Sequence, residues 1–316
     1  MQARVIRNLV ALSFCMATAY ATSAQDAHRL YVEPDGWAIG MNIGLSDLWG
    51  NIGTASPIEH YSNSKYFDKI TMMGGLFGRY NVHPGFGLRG QLNYGSLYAT
   101  DKWNYDLAKK ASTQGEDAYQ RYARAQNVKD VMFEGTLLME LTPRRLNPEG
   151  KKAFKRGQPF IGLGISYFHF TPYSTIAASQ TWVKTYDLHL EGQGFGPTYP
   201  KQYSLWAPAI PMVIGYRWDL GQHLNLGIEY MFRYTFLKYL DGVSGKYIDP
   251  TAFAAHLTPA QAKTAAEVAD KGYWYGLEPQ NAAGNMRGNS AFTDKYSTIS
   301  ITIYFKVATR TAKWWH

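Results

Sequence analysis

The residues of this chain that could carry out hydrolytic chemistry are histidines, serines and aspartates in polar segments. A serine nucleophile needs a general base within hydrogen-bond reach, and a third group to orient that base. Residues of these types are His169, His189, His256, Ser174, Ser244, Asp187 and Asp241. No spacing signature links them, and polar segments of any chain offer such mixtures. The sequence predicts no catalytic residue and a protein that is not an enzyme; a loop-borne hydrolase using Ser174 or Ser244 is the least favoured alternative.

Metal and cofactor chemistry is not expected either. The single cysteine, Cys15, lies close to the N-terminus, and no His-x-x-x-His pair is present. Zinc sites are built from cysteines and histidines at such spacings. We therefore expect no metal, no cofactor and no small-molecule substrate.

A second set of chemistry-bearing residues consists of charges that alternate with apolar residues along extended segments. These are Arg79, Arg89, Glu134, Glu140, Arg217, Glu229 and Arg233. Alternation places them on the inner face of a sheet, where buried charges are normally paired. Strand direction puts Arg79, Arg89, Glu140 and Arg217 near one end. We interpret the set as a paired network that plugs a narrow lumen; a proton or ion path is the less favoured alternative.

A third set is a local run of basic residues in the segment 142–158. It comprises Arg144, Arg145, Lys151, Lys152, Lys155 and Arg156. Only Glu149 opposes this charge. Two interpretations stay open: a solvated turn that sets orientation or meets anionic headgroups, and a surface that binds an acidic periplasmic partner.

The elements that position these residues are long segments of strict alternation, clearest at 222–237. One face is apolar: Leu224, Leu226, Ile228, Tyr230, Phe232, Tyr234 and Phe236. The other face is polar, charged or small: His223, Asn225, Gly227, Glu229, Met231, Arg233 and Thr235. This length matches a tilted transmembrane strand of ~9–11 residues, whereas strands of soluble proteins usually have ~5–6.

The same patterning predicts eight strands in all. They span 37–46, 69–81, 86–97, 128–141, 159–171, 203–219, 222–237 and 295–306. Short and long connections alternate strictly, as short periplasmic turns and long extracellular loops do in outer-membrane barrels. The predicted fold is all-β, an eight-stranded antiparallel transmembrane β-barrel with long extracellular loops.

Local features refine this prediction. Trp206 and Trp218 bracket aliphatic residues on one face, as expected for aromatic girdles at the two membrane interfaces. Pro208 and Pro211 in the same strand cannot donate to a ladder, which predicts irregular pairing. The segment 258–271 predicts a loop helix that serves as a lid or, less favoured, as a partner surface.

The N-terminus indicates export. Arg4 and Arg7 precede an apolar run that ends in small residues at Ala24, which predicts a signal peptide over 1–24 and a barrel domain over 25–316. Cleavage lowers the formal net charge from +8 to +6 and leaves no cysteine for a disulfide. A basic, exported chain with scattered charges is not expected to bind nucleic acid; we expect it in the cell outer membrane, in contact with lipid.

Several stretches resemble the PorG-like outer-membrane barrels associated with the type IX secretion system of Gram-negative bacteria. They are GRYNVHP at 78–84, LRG at 88–90, YG at 94–95, FIGLG at 160–164, YF at 167–168, EGQG at 191–194, NLGIE at 225–229, YLDGVSGKY at 239–247 and GN at 288–289. The resemblance implies a non-enzymatic component of the secretion machinery that contacts the periplasmic ring of the PorK lipoprotein and PorN. The basic turn and the tail at 313–315 are the expected contacts. The alternative is a small structural or adhesin-like barrel that acts through its extracellular loops.

Overall fold

The computed structural model describes residues 36–54, 57–67, 69–147, 156–220, 223–277 and 282–307. The predicted signal peptide over 1–24 and the tail at 313–315 lie outside these residues, as do Lys151, Lys152 and Lys155 of the basic turn.

Nine strands form within the described ranges, and eight of them close into a barrel. They are β1 (Gly36–Trp49), β2 (Thr71–His83), β3 (Phe86–Thr100), β4 (Asn127–Leu141), β5 (Gly157–Thr175), β6 (Trp182–Lys184), β7 (Trp206–Asp219), β8 (Leu224–Thr235) and β9 (Lys295–Lys306). The antiparallel order is β1-β2-β3-β4-β5-β7-β8-β9, and β9 returns to pair with β1. All eight predicted strands and the predicted fold class are confirmed.

Short β6 was not predicted, and it lies outside the barrel ring. It pairs with the upper end of β5, where Ser174 is opposite Val183. This pairing extends β5 to Thr175, beyond the predicted end at 171. Three residues are too few for alternation to give a recognisable sequence pattern.

The connections confirm the predicted asymmetry. Residues 84–85, 142–156 and 220–223 join strands at one end, which also holds the first residue of β1 and the last of β9. Four long connections lie at the other end; the third holds β6, and the other three contain the α-helices. These are α1 (Pro57–Ser62), α2 (Tyr105–Ala108), α3 (Asp117–Arg124), α4 (Pro250–His256), α5 (Pro259–Ala269) and α6 (Lys271–Trp274). Helix α5 is the predicted loop helix, with Thr258 and Gln261 forming a capping box.

The barrel exterior is a continuous apolar belt. Its side chains, between 53% and 66% exposed, include Ile39, Met41, Ile43, Leu76, Leu92, Leu137, Ile165, Ile214 and Ile301. Trp206 and Trp218 lie at opposite ends of β7, with Met212 exposed between them, so the predicted girdle is confirmed. A soluble surface does not carry such a belt, and a closed barrel that does is the architecture of an outer-membrane protein. The barrel therefore spans the outer membrane.

Across the described residues, no helix has both the length and the apolarity that a transmembrane helix requires.

Of the two prolines of β7, Pro208 stays in register with Tyr167, and Pro211 lies where the β5–β7 ladder is interrupted. Pairing between β5 and β7 runs from Gly157–Trp218 to Leu163–Met212 and resumes at Ser166–Ala209 in the same register. Pro211 lies opposite this gap. Its nitrogen carries no hydrogen, so it cannot donate a hydrogen bond to β5. The expected irregularity is thus a local loss of pairing.

The seam between β1 and β9 depends on a glycine. A Cβ on Gly44 would meet the carbonyl oxygen of Ile299 and the Cα of Ser300, both part of the β9 backbone. By contrast, a Cβ on Gly78, which faces outward on β2, would meet nothing within 4 Å. The backbones at the seam approach too closely for any side chain at Gly44.

We expect Gly44→Ala to destabilise the barrel by about 1–3 kcal/mol, because the added methyl overpacks the closing seam. Gly78→Ala is the matched control and should leave stability unchanged. Urea unfolding in detergent, followed by the heat-dependent gel mobility of the folded barrel, measures both. Equal stability of the two variants would contradict a tight seam.

Candidate functional site

The lower lumen contains an ion-pair cluster centred on Glu140. Arg79 Nε lies 2.8 Å from Glu140 Oε2, Arg89 Nε lies 3.0 Å from Oε1, and Arg217 contacts the same carboxylate. Arg89 Nη1 also pairs with Glu229 Oε2 at 2.7 Å. All five side chains are buried. The structure therefore brings together five of the seven inward charges named from the sequence.

Backbone register explains why these long side chains share one layer. Glu140 is flanked across the sheet by Gly87 on β3 and Gly162 on β5, and Arg217 lies opposite Gly227 on β8. Glycine on a neighbouring strand leaves lumen volume for a guanidinium or carboxylate. A Cβ on Gly87 would lie 3.0 Å from Arg79 Nε. The glycines of these strands are thus what makes the charged layer possible.

The other two charges form a separate layer above. Arg233 Nε donates to Glu134 Oε2 at 2.9 Å, and Arg233 Nη1 donates to Thr298 at 2.8 Å. Asn93 donates to Glu134 Oε1 at 2.8 Å, and the Tyr296 hydroxyl also donates to this carboxylate. A buried carboxylate and guanidinium with these partners are largely satisfied. Phe168 lies opposite Glu134 in the β4–β5 register, and the apolar pair Met132 and Phe170 follows it toward the extracellular end.

The basic turn divides into side chains of different roles. Arg145 is buried and pairs with Asp219 at 2.5 Å, so it supports the barrel end and is removed from the surface that a partner could reach. Arg144 is half-buried and donates to the carbonyl of Gly157 at 3.0 Å. Arg156 is exposed. The remaining members of the set, Lys151, Lys152 and Lys155, lie outside the described residues.

At the extracellular end, the buried polar side chains of Asn51 and Arg124 connect the loops into one cap. Asn51 donates to the carbonyl of Val243 at 2.8 Å and accepts from the amide of Asn289 at 2.8 Å. Arg124 donates to the carbonyl of Asn51 at 2.6 Å and to that of Arg287 at 2.8 Å. Each bond crosses between loops that are distant in sequence. Local patterning could not identify them, because the partners have no fixed spacing.

Two stretches quoted for the family resemblance meet in this cap. Glu191 accepts the amides of Ser244 and Gly245 at 2.9 and 2.7 Å, and Arg287 pairs with Glu191 at 2.8 Å. Asp241 accepts the amides of Ile52 and Val243 at 3.0 and 2.9 Å. Burial raises the pKa of Asp241 to about 6.

Three of the residues considered above for hydrolysis, His189, His256 and Ser244, make packing and hydrogen-bond contacts within the extracellular loops. His189 Nδ1 lies 2.5 Å from the carbonyl oxygen of Gln193, and the His256 ring stacks on Phe195 at 4.5 Å. Ser244 is buried and contributes its amide to Glu191. These contacts do not assemble a nucleophile, base and orienting group from the candidate set. In the described part of the chain, no group of three or more His, Cys, Asp or Glu side chains is placed to hold a metal ion.

Lys271 is a buried cation that sequence patterning did not single out. Its Nζ donates to Asn127 Oδ1 at 2.5 Å, Ser174 Oγ at 2.8 Å and Thr175 Oγ1 at 3.2 Å. Burial, with the nearby Arg287 charge, lowers the pKa of Lys271 to about 7. A lysine beside a serine is an arrangement that can activate the serine. Here the three acceptors of Lys271 lie at the upper ends of β4 and β5, whereas Lys271 belongs to the fourth long loop. The contact therefore fastens the fourth long loop to the barrel rim.

Comparisons with known proteins bear on the fold alone. No protein-family model and no curated protein matches the sequence. Among solved structures, the chain is similar to Ail, the attachment invasion locus protein of Yersinia pestis, at 9% identity and a TM-score of 0.34, covering 86% of this chain and 99% of Ail. It is also similar to OprG from Pseudomonas aeruginosa, at 9% identity and 0.36, covering 88% and 98%. Neisserial surface protein A follows at 8% identity and 0.35, covering 86% and 97%. Likeness at this level says nothing about ligand or partner.

We expect Glu140→Gln to destabilise the barrel by about 3–5 kcal/mol, because three buried arginines lose their shared carboxylate. Urea unfolding in detergent, followed by tryptophan fluorescence, measures the loss. Glu59→Gln, at an exposed glutamate of α1, is the control. Adding Arg217→Met to Glu140→Gln should restore part of the stability; a double variant no more stable than Glu140→Gln would argue against coupling.

The lowered pKa of Lys271 makes the cap pH-sensitive. An unfolded lysine keeps its proton up to about pH 10.4, so between pH 7 and 10 the unfolded state binds more protons and stability rises with pH. We expect a gain of about 2 kcal/mol from pH 7 to pH 9. Urea midpoints at both values should lose this difference in Lys271→Met and keep it in Lys263→Met, an exposed lysine of α5. An unchanged slope in Lys271→Met would refute the assignment.

Proposed function

We propose that this protein is a non-enzymatic barrel component of the type IX secretion machinery, exported by the segment 1–24. In this role it contacts the periplasmic PorK and PorN ring through its periplasmic turns. The observation that carries the proposal is the filled lumen. A barrel whose interior is occupied by paired charges acts through its two ends.

The two charged layers and the apolar layer above them occupy successive levels of the interior. Glu140, Glu134 and Met132 are each fully buried, one in each layer. Eight-stranded barrels have an interior just wide enough for side chains to fill it. A scaffold role is consistent with this arrangement, and a channel role is not.

The periplasmic end supports a protein contact by its charge. Arg156 is exposed and Arg144 is half-buried, in a turn that also carries Lys151, Lys152 and Lys155 in sequence. Arg145 is withdrawn to Asp219, which anchors the turn to β7. A turn with a strong excess of positive charge favours an acidic partner surface and speeds its association. The sequence resemblance to PorG-like barrels supplies the identity of that partner in the proposal.

A second candidate function is supported by the extracellular cap. Its surface exposes apolar side chains above the membrane: Tyr273, Trp274, Met286 and Phe292 are between 47% and 73% exposed. Exposed apolar groups on an ordered scaffold are typical of a contact surface. An adhesin-like barrel that acts through its loops would use these residues and need no periplasmic partner.

Copurification from detergent-solubilised native membranes tests the main proposal. We expect the tagged barrel to retain PorK and PorN, and the variant Arg144→Glu with Arg156→Glu to retain at least tenfold less, because two cations become anions facing an acidic surface. Lys201→Glu with Lys263→Glu, which makes the same charge change at two exposed lysines of the extracellular loops, is the control. If neither ring protein copurifies with the native barrel, the proposal fails.

Secretion and loop trimming distinguish the second candidate. Under the secretion role, deleting the gene blocks export of cargo, and shortening the loop 248–287 has a smaller effect than reversing the turn charges. Under the loop-acting role, deletion leaves cargo export unchanged, while loop shortening abolishes the surface function.

A further inference from the structure

A cavity of about 740 Å³ lies at the extracellular rim of the barrel. It is enclosed by the start of the first long loop, by helix α3 and by the segment 285–295 that returns to β9. We call it the rim cavity. Neither the ion pairs of the lumen nor the periplasmic turn contribute to it, and it does not depend on the proposed secretion role.

The walls of the rim cavity combine amide and aromatic side chains. Gln120, Asn285 and Asn289 offer both hydrogen-bond donors and acceptors, while Trp49 and Phe292 offer apolar ring faces. Phe292 is 63% exposed. A saccharide has the matching chemistry, since its hydroxyls both donate and accept and its ring carries an apolar face.

Charge in the wall favours an anionic ligand. Four basic side chains line the cavity, and three of them already have acidic partners: Arg121 with Asp117, Arg124 with Asp101 and Arg287 with Glu191. The fourth, Lys295, donates to the carbonyl of Thr293 at 2.9 Å and forms no ion pair with a described residue. A phosphate or carboxylate placed in the cavity would give this cation a partner.

The Tyr247 hydroxyl is a second, independent indication of a ligand. Tyr247 lines the cavity and is only 5% exposed, yet its hydroxyl has no hydrogen-bond partner among the described residues. Buried polar atoms of proteins are nearly always hydrogen-bonded. An oxygen of a bound ligand would satisfy this group.

The lower end of the cavity lies at the membrane interface. Trp49 and Lys295 are paired in register at the upper ends of β1 and β9. Trp49 packs against Phe232 at 5.2 Å, and Lys295 lies over the Tyr234 ring at 5.4 Å, both on the outer face of β8. Such aromatic residues mark the level of the lipid headgroups. The cavity therefore opens where the headgroups of the outer leaflet lie.

We propose that the rim cavity binds the phosphorylated sugar headgroup of a glycolipid in the outer leaflet. The sugar ring lies against Trp49 and Phe292, its hydroxyls bond to the amides and to Tyr247, and its phosphate pairs with Lys295. The acyl chains continue down the apolar belt below Trp49.

Native mass spectrometry of the detergent-purified full-length protein tests this site. The probes are lipid A, with its two phosphorylated glucosamines, the same glycolipid after dephosphorylation, and soluble glucosamine phosphate. We expect lipid A to bind, dephosphorylation to weaken binding at least fivefold, and Lys295→Gln to weaken lipid A binding by a similar factor. Lys263→Gln on α5 is the matched control and should bind as the native chain does.

Tyr247→Phe removes one oxygen and keeps the ring, so it tests the hydroxyl with little change in packing. We expect a twofold to fivefold loss of lipid A binding with unaltered heat-dependent gel mobility. Equal binding of lipid A by the native chain, Lys295→Gln and Tyr247→Phe would overturn the site. Equal binding of the dephosphorylated lipid would reduce it to an acyl contact, and equal affinity for soluble glucosamine phosphate would overturn the assignment to a lipid.

Discussion

The hydrogen-bonded ring of strands is the constraint on which the rest of this molecule depends. Hydrocarbon offers no partner to a backbone amide or carbonyl, so each strand inside the membrane must pair on both sides, and β9 must return to β1. Pairing fixes the pleat, and the pleat sends alternate side chains to lipid and to lumen. The apolar belt and the inner charges are thus two outcomes of one backbone arrangement.

The narrow interior then limits how the inward-facing charged side chains can be paired. Three arginines and two glutamates lie in one layer far from solvent, and Glu140 pairs with all three guanidinium groups. Glycines on adjacent strands provide the space, so charge and volume are complementary within the layer. Buried arginines also organise the extracellular loops, where Arg124 and Arg287 link segments from different loops. Both ends are ordered by cations that have several acceptors.

Sequence reasoning succeeded where structure depends on local periodicity. Strict alternation located all eight barrel strands, strand direction placed Arg79, Arg89 and Arg217 beside Glu140, and Thr258 with Pro259 marked the start of α5. It failed where contacts join residues far apart in the chain. Lys271 on the β4–β5 rim, and Arg145 turned inward to Asp219, follow from how separate loops and turns pack. Their residue types gave no distinguishing signal. The short strand β6 depends in the same way on an extension of β5.

Asn51 has a further consequence for how the chain acquires its structure. It lies just after the first strand, but it bonds to Asn289, 238 residues later, and its Nδ2 bonds to Val243, 192 residues later. The seam between β1 and β9 has a comparable separation. Contacts of such sequence separation form late and slowly, because a long loop must close before they contribute. One edge of β1 therefore stays unpaired until β9, almost the whole chain later, is available to pair with it. Completion of the cap and closure of the barrel both depend on the same late segment of the chain, which supplies Asn289 and β9.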